Sequence, residues 1–209
     1  MTDNLIARSI ALALAAFLLG SIPSGYLVGK ARGVDVRRWG SGRTGGTNVW
    51  RALGMVPAVV TIVADALKTV AAVMLARAFV GTGWSQVLAG SMAILGHNYT
   101  PFLGFRGGRG VVAAIAAMAA LCFPATAVVL VAGGIVLLVL RYVSLASLTV
   151  AALMPASLLL YRLAFGGDIW WPVYGLVAAA LIWVSHLDNV RRLLRGTERR
   201  LGDPVRPPS

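Results

Sequence analysis

The feature that most constrains this chain is the length of its apolar runs. Residues 4–29, 55–80, 84–103, 142–162 and 169–187 are each long and apolar enough for one membrane span, since a helix crossing the hydrocarbon core needs ~20 mostly apolar residues. A soluble domain would have too little polar surface with 58% hydrophobic residues and a mean hydropathy of +0.81. The expected fold class is therefore an all-α integral membrane protein. Arg8 precedes an apolar core, as in a signal peptide, but the apolar character runs on to Val28. That is too long for a cleaved leader, so the segment reads as a first helix that is kept. No linker divides the chain, which predicts one domain over residues 1–202 and a short, polar, disordered cytoplasmic tail at 203–209.

The run Gly110–Leu140 is too long for one span, because a single helix there would measure ~46 Å against a ~30 Å hydrocarbon core. Charge decides how it divides. Lys30, Arg32, Arg37, Arg38, Arg43 and Arg51 lie before the second span, and Arg191, Arg192, Arg195, Arg199, Arg200 and Arg206 follow the last one. Cytoplasmic loops carry the excess of Lys and Arg. Two short spans within 110–140 put both groups inside, together with Arg106, Arg109 and Arg141, and leave Arg8, Arg77 and Arg162 outside. The expectation is seven transmembrane helices, with the N-terminus outside, the C-terminus cytoplasmic and Pro124 marking an outer turn. Arg77 and Arg162 then snorkel to the outer interface, where Trp84, Trp170 and Trp171 act as anchors.

The net charge is +12, from 19 Lys and Arg against 7 Asp and Glu. The basic residues lie between and after apolar runs, which favours an anionic membrane face over nucleic acid. Cys122 is alone in an apolar run, and His97 and His186 are far apart without ligand-type neighbours. Neither a disulfide nor a metal site is expected, and no cofactor is implied.

Three polar clusters then fall on one side: GSGRTGGTNVWRALG (40–54), GHNYTPFLGFRGGRG (96–110) and HLDNVRRLLRGTERRLG (186–202). In the first, glycines let backbone N–H groups approach a ligand, and successive N–H groups form anion-binding nests. Ser41, Thr44, Thr47 and Asn48 add neutral donors, and Arg51 adds a phosphate-shaped fork. A phosphate-cradling loop and a flexible soluble connector fit this composition equally well. In the second, Gly107 and Gly108 lie between Arg106 and Arg109, and Gly110 opens an apolar helix whose N-terminus suits an anion. Asp65 and Lys68 lie inside a span, where an unpaired charge costs ~2.5–3.5 kcal/mol. Their i, i+3 spacing fits a mutual structural pair or a catalytic role. His97 and His186 each end a helix, and Asn189 follows His186 by about one turn.

These motifs, in this order and spacing, resemble the acyl-phosphate-dependent glycerol-3-phosphate acyltransferases of bacteria, the PlsY family. The resemblance also covers GSIPSGYLVGK (20–30) and RYVSLASL (141–148), and so nearly the whole chain. It implies transfer of an acyl group from acyl phosphate to the sn-1 hydroxyl of glycerol 3-phosphate, giving lysophosphatidic acid and phosphate. The implied setting is a multi-pass protein of the bacterial inner membrane whose active site faces the cytoplasm. The implied partners are acyl phosphate, glycerol 3-phosphate, membrane lipids and an enzyme producing acyl phosphate.

Carried over by motif position, the catalytic set is Ser41, Arg51, Arg109, His186 and Asn189. Thr47, Asn48, Gly107, Gly108, Arg106, Lys68 and His97 are the substrate- and phosphate-binding set. The chain departs from the family pattern at Arg43, where asparagine is usual, at Arg106 and Arg109, where lysines are usual, and at Leu187 and Asp188. Arginine keeps the charge and the phosphate fork but does not give up a proton. The alternatives are a membrane anion or lipid-phosphate transporter and a catalytically weakened family member.

Overall fold

The computed structural model describes residues 2–203, with side chains from Leu5 onward. Residues 204–209, most of the expected disordered tail, lie outside the described residues. Among the described residues ten α-helices follow in order: α1 (Thr2–Ser21), α2 (Ser24–Lys30), α3 (Gly46–Leu53), α4 (Met55–Phe79), α5 (Gly83–Asn98), α6 (Val111–Leu121), α7 (Phe123–Leu140), α8 (Val143–Phe165), α9 (Trp171–Ser185) and α10 (Leu187–Leu194).

Among the described residues four helical segments are long and apolar enough to cross a membrane: Leu5–Lys30, Met55–Phe79, Phe123–Leu140 and Val143–Phe165. A fifth arises if α9 and α10, bent by 63°, count together. Large apolar side chains remain on the outside of these helices, including Leu138 at 82% exposure and Phe165 at 77%. Water would penalise such a surface, whereas lipid tails do not.

Several boundaries differ from those expected. The first run breaks at Ile22–Pro23, because proline has no N–H to continue the ladder. The third run stops at Asn98 and continues as a short 3₁₀ turn, Pro101–Leu103. The turn expected at Pro124 is made by Cys122 alone, in an extended conformation (φ −151°, ψ 92°). Pro124 lies instead in the first turn of α7, where its missing N–H costs nothing. Arg77 is exposed but engaged. It donates to Gln86 Oε1 at 3.0 Å and to the Ala120 carbonyl at 2.8 Å, which caps the C-terminal turn of α6.

Small residues let the helices approach closely. Ala16, Ala72, Ala76, Ala89 and Ala93 form one buried cluster joining α1, α4 and α5. A side chain at Gly20 would strike the Ala93 carbonyl, so α1 and α5 touch through backbone. A second core brings α4, α5, α6, α8 and α9 together around Met118, Met154 and Tyr174, whose hydroxyl donates to the Ala114 carbonyl at 2.7 Å.

This packing gathers helix ends at one end of the bundle. A cavity there touches the first half of α4 (Ile62, Asp65), the end of α5 (His97) and the start of α6 (Val111, Val112). It also touches the start of α8 (Val143, Ser144, Ser147) and the residue that ends α9, His186. Because α6 starts at this end and α8 resumes from it, α7 must return the chain to it.

Candidate functional site

The glycine-rich loop before α3 is built around one side chain. Asn48, 2% exposed, accepts from the Ser41 N–H at 3.0 Å. Its amide nitrogen donates to the carbonyls of Val36 and Arg43, both at 2.8 Å. Every hydrogen of that amide is used, so Asn48, expected as a substrate contact, holds the loop and borders the cavity with its donors already spent. Gly40 (φ 52°) and Gly42 (φ 70°) supply the left-handed conformations the turn needs. The loop ends at the N-terminus of α3, where Gly45, Gly46 and Thr47 face the cavity.

The second glycine motif does different work from that expected. The Gly107 N–H donates to the Asn98 carbonyl and the Gly108 N–H to the His97 carbonyl, each at 3.0 Å. These amides complete the end of α5 and are not offered to a ligand. Side chains at these positions would collide with the His97 carbonyl and the His97 ring. The donors on the cavity wall come from the next residues, Gly110, Val111 and Val112, at the N-terminus of α6. Arg106 is exposed and lies off the cavity wall.

Lys68 is also off the wall. Its ammonium donates to the Ile22 carbonyl at 2.6 Å, lies 3.2 Å from His97 Nδ1 and forms an ion pair with Asp65 Oδ1 at 2.8 Å. The residue expected to bind substrate is thus a structural cation neutralising a buried carboxylate, the arrangement an intramembrane charge requires. His97 Nδ1 faces both the Lys68 ammonium at 3.2 Å and Asp65 Oδ1 at 3.5 Å.

Arg109 donates to Asp188 Oδ2 at 2.7 Å, and Arg192 lies 3.3 Å from the same oxygen. Burial pulls the Arg109 guanidinium below its ordinary pKa, Asp188 offsets this, and the nearby Arg43 adds to it. Burial likewise lowers Arg51, helped by Arg199. Burial pushes the Asp188 carboxyl up, but Arg109 and Arg192 outweigh it and hold the group below its usual range. His186 Nδ1 lies 2.8 Å from the Ile182 carbonyl. It can only donate there, which leaves Nε2 as an acceptor. Asn189 donates to Glu198 Oε1 at 2.7 Å, and Arg192 holds the other Glu198 oxygen at 2.7 Å. Leu201 pairs with Arg141 through backbone and side chain. Residues 195–203 therefore lie as a strap beside the cavity, clipped at Glu198 and at Leu201.

The cavity has two lobes. The larger, about 240 Å³, has polar walls at Arg43, Thr47, His97 and His186 and apolar walls at Ile62, Val111, Val112 and Val143. Ile62 is 40% exposed and lies among the exposed apolar side chains of α4, with Val59, Val60 and Val63. The smaller, about 160 Å³, is reached by Gly40, Asp188 and Arg192. Ser41, Arg51, Arg109, Asn189, Glu198 and Arg199 border both.

Of the expected site residues, the structure brings Ser41, Thr47, Asn48, Arg51, His97, Arg109, His186 and Asn189 to this cavity. Arg106, Gly107, Gly108 and Lys68 do not line it. Sequence reading assigned no role to Ser144, Ser147, Glu198 or Arg199. The serines open α8 directly after Arg141 at i, i+3 spacing, a legible sign that they share a face. The Ser144 hydroxyl is buried and has no hydrogen-bond partner among the described residues. No local signal marks Glu198 or Arg199, because the strap that carries them is placed by distant contacts.

Fold and site together define a class, a helical integral membrane protein with an arginine-lined cavity at one end of its bundle. The profile of the family described as glycerol-3-phosphate acyltransferase matches residues 10–196. The glycerol-3-phosphate acyltransferase of one Thermus thermophilus strain is 45% identical over 193 residues, covering 91% of this chain and 94% of the relative. That of Symbiobacterium thermophilum is 40% identical, covering 97% and 99%. Crystalline PlsY, an integral membrane glycerol 3-phosphate acyltransferase, superposes in its glycerol 3-phosphate form with a TM-score of 0.85 at 36% identity, covering 93% of this chain and 96% of that one. Its lysophosphatidic acid form superposes with a TM-score of 0.83. The chain belongs to the glycerol-3-phosphate acyltransferase family, the PlsY family that the sequence motifs resemble.

Proposed function

We propose that this protein transfers an acyl group from acyl phosphate to the sn-1 hydroxyl of glycerol 3-phosphate, giving lysophosphatidic acid and phosphate. The observation that carries this reading is the lining of the larger lobe, which joins arginines and helix N-termini to an apolar wall of Ile62, Val111, Val112 and Val143. A phosphate attached to an acyl chain matches both halves, and the chain enters from the bilayer. The second lobe, polar and smaller, suits glycerol 3-phosphate.

Catalysis is by positioning and electrostatics. The acceptor hydroxyl oxygen attacks the carbonyl carbon of the acyl phosphate, the C–O bond to phosphate breaks, and phosphate leaves. Ser41, Arg51 and Arg109, on the wall between the lobes, take the growing charge on the leaving phosphate. The free N–H groups of Gly110, Val111 and Val112 are placed for the carbonyl oxygen. His186 and Asn189, on the cavity wall, hold the glycerol backbone so that the sn-1 oxygen faces the carbonyl carbon. The hydroxyl proton passes to the acceptor's own phosphate, so no acyl-enzyme forms. Thr47 and His97 border the larger lobe as further contacts.

The bundle crosses the bacterial inner membrane seven times, with the N-terminus outside and the C-terminus and cavity cytoplasmic. Alternating helix ends at the cavity support this, as does the clustering of basic residues there. The test supplies the protein, in lipid nanodiscs, with labelled glycerol 3-phosphate and palmitoyl phosphate. Lysophosphatidic acid should form, and palmitoyl-CoA should not replace the donor. Absence of product, with phosphate flux across protein-containing vesicles, would establish the transporter reading instead.

A further inference from the structure

Three arginines on the cavity wall, Arg43, Arg51 and Arg199, make no side-chain hydrogen bond or ion pair among the described residues. The other charges near them are already matched. Asp65 is matched by Lys68, Glu198 by Arg192 and Arg109 by Asp188. Arg43 and Arg51 are half-buried and Arg199 is exposed; the two partly desolvated cations favour anionic charge between them. Arg51 and Arg199 border both lobes, whereas Arg43 borders only the apolar-walled one.

The position of Arg43 is held firmly. Its carbonyl accepts from Asn48 at 2.8 Å, and its N–H faces Ser41 Oγ at 3.4 Å. The backbone is thus pinned by the same side chain that pins Ser41, while the half-buried guanidinium is left to the lobe. Nothing in the loop's construction requires a cation at this position, since all its stabilising bonds use backbone groups of Arg43. A ligand on the other side of the guanidinium accounts for its presence.

We propose that Arg43 is a donor-side binding residue, gripping the phosphate of the acyl phosphate in the apolar-walled lobe while glycerol 3-phosphate occupies the polar lobe. The assignment rests on the acyltransferase reading above and adds to it a division of labour between the two lobes. A dianionic phosphate beside Ile62, Val111 and Val143 meets a fork-shaped cation there, and its acyl chain continues along the apolar wall.

The experiment compares the parent with Arg43→Asn and Arg43→Lys in lipid nanodiscs. KM is measured for palmitoyl phosphate and for glycerol 3-phosphate separately. Loss of one charge-assisted contact should raise KM for palmitoyl phosphate about tenfold or more in Arg43→Asn. KM for glycerol 3-phosphate should stay within about twofold, and Arg43→Lys should recover most of the loss. A rise confined to glycerol 3-phosphate, equal rises for both substrates, or no change in either would overturn the assignment. Binding of decylphosphonate, an unreactive chain-bearing anion, is measured alongside and should weaken by a similar factor. If the parent makes no lysophosphatidic acid, the acyltransferase reading falls. In that case decylphosphonate alone decides the role of Arg43 as a chain-bearing-anion ligand, which falls if parent and Arg43→Asn bind it alike.

Discussion

Replacement of Asn48 should unfasten the glycine-rich loop before α3. Its side chain makes three hydrogen bonds, to the Ser41 N–H at 3.0 Å and to the carbonyls of Val36 and Arg43 at 2.8 Å. At about 1 kcal/mol net for each, Asn48→Ala removes about 3 kcal/mol from the closed loop. That corresponds to a ~150-fold rise in the open population. Asn48→Asp should be worse than alanine, because it retains the acceptor for Ser41 but turns a second oxygen on the two carbonyls. Hydrogen exchange over residues 36–48 in nanodiscs measures this directly, with loss of protection at the Ser41 amide as the sharpest signal. Both variants should lose kcat/KM, since Ser41 and Arg43 no longer hold their positions. The reasoning is refuted if Asn48→Asp keeps parental exchange in this segment within threefold and only raises a KM. That outcome would make Asn48 a ligand contact after all.

Lys68→Met should strand the Asp65 carboxylate, which is 2% exposed. A loss of about 3–5 kcal/mol is expected, seen as poor yield and early thermal unfolding, with recovery in the Asp65→Asn, Lys68→Met double variant. Gly107→Ala should cost more activity than Gly108→Ala, because the first meets the His97 carbonyl and the second a side-chain ring that can turn. Steady-state kcat/KM for the two variants makes that comparison. Arg109→Lys should give no gain in turnover, because the shorter point charge gives up the fork bonded to Asp188. A clear gain would show that the arginine weakens this family member. Asp188 has its pKa lowered in the folded protein, so its pairing contributes above the unfolded value and is lost as pH falls through the lowered one. The stability gap between parent and Asp188→Asn should stay constant from pH 8 to pH 5 and narrow below about pH 4.

The amino-acid sequence by itself determined the class of this protein. Apolar runs as long as a bilayer is thick admit little but membrane helices, and the break in 110–140 follows from length and charge alone. The motifs were legible because they are local. Ser41 and Arg51 belong to one loop, and His186 and Asn189 lie about one helical turn apart. Even the Asp65–Lys68 pair could be read from its spacing, as one of two open possibilities.

The tertiary structure decided which polar groups are free. Gly107 and Gly108 look like ligand donors until α5 ends against them and takes their N–H groups. Lys68 looks like a site cation until Ile22 and His97 join Asp65 around its ammonium. Asn48 is spent on carbonyls five and twelve residues away. Glu198 and Arg199 reach the cavity through a strap fastened to Arg141, some 60 residues earlier in the chain. A sequence records where donors and charges are, but each buried hydrogen bond consumes one. Only the packed arrangement shows which remain for a substrate.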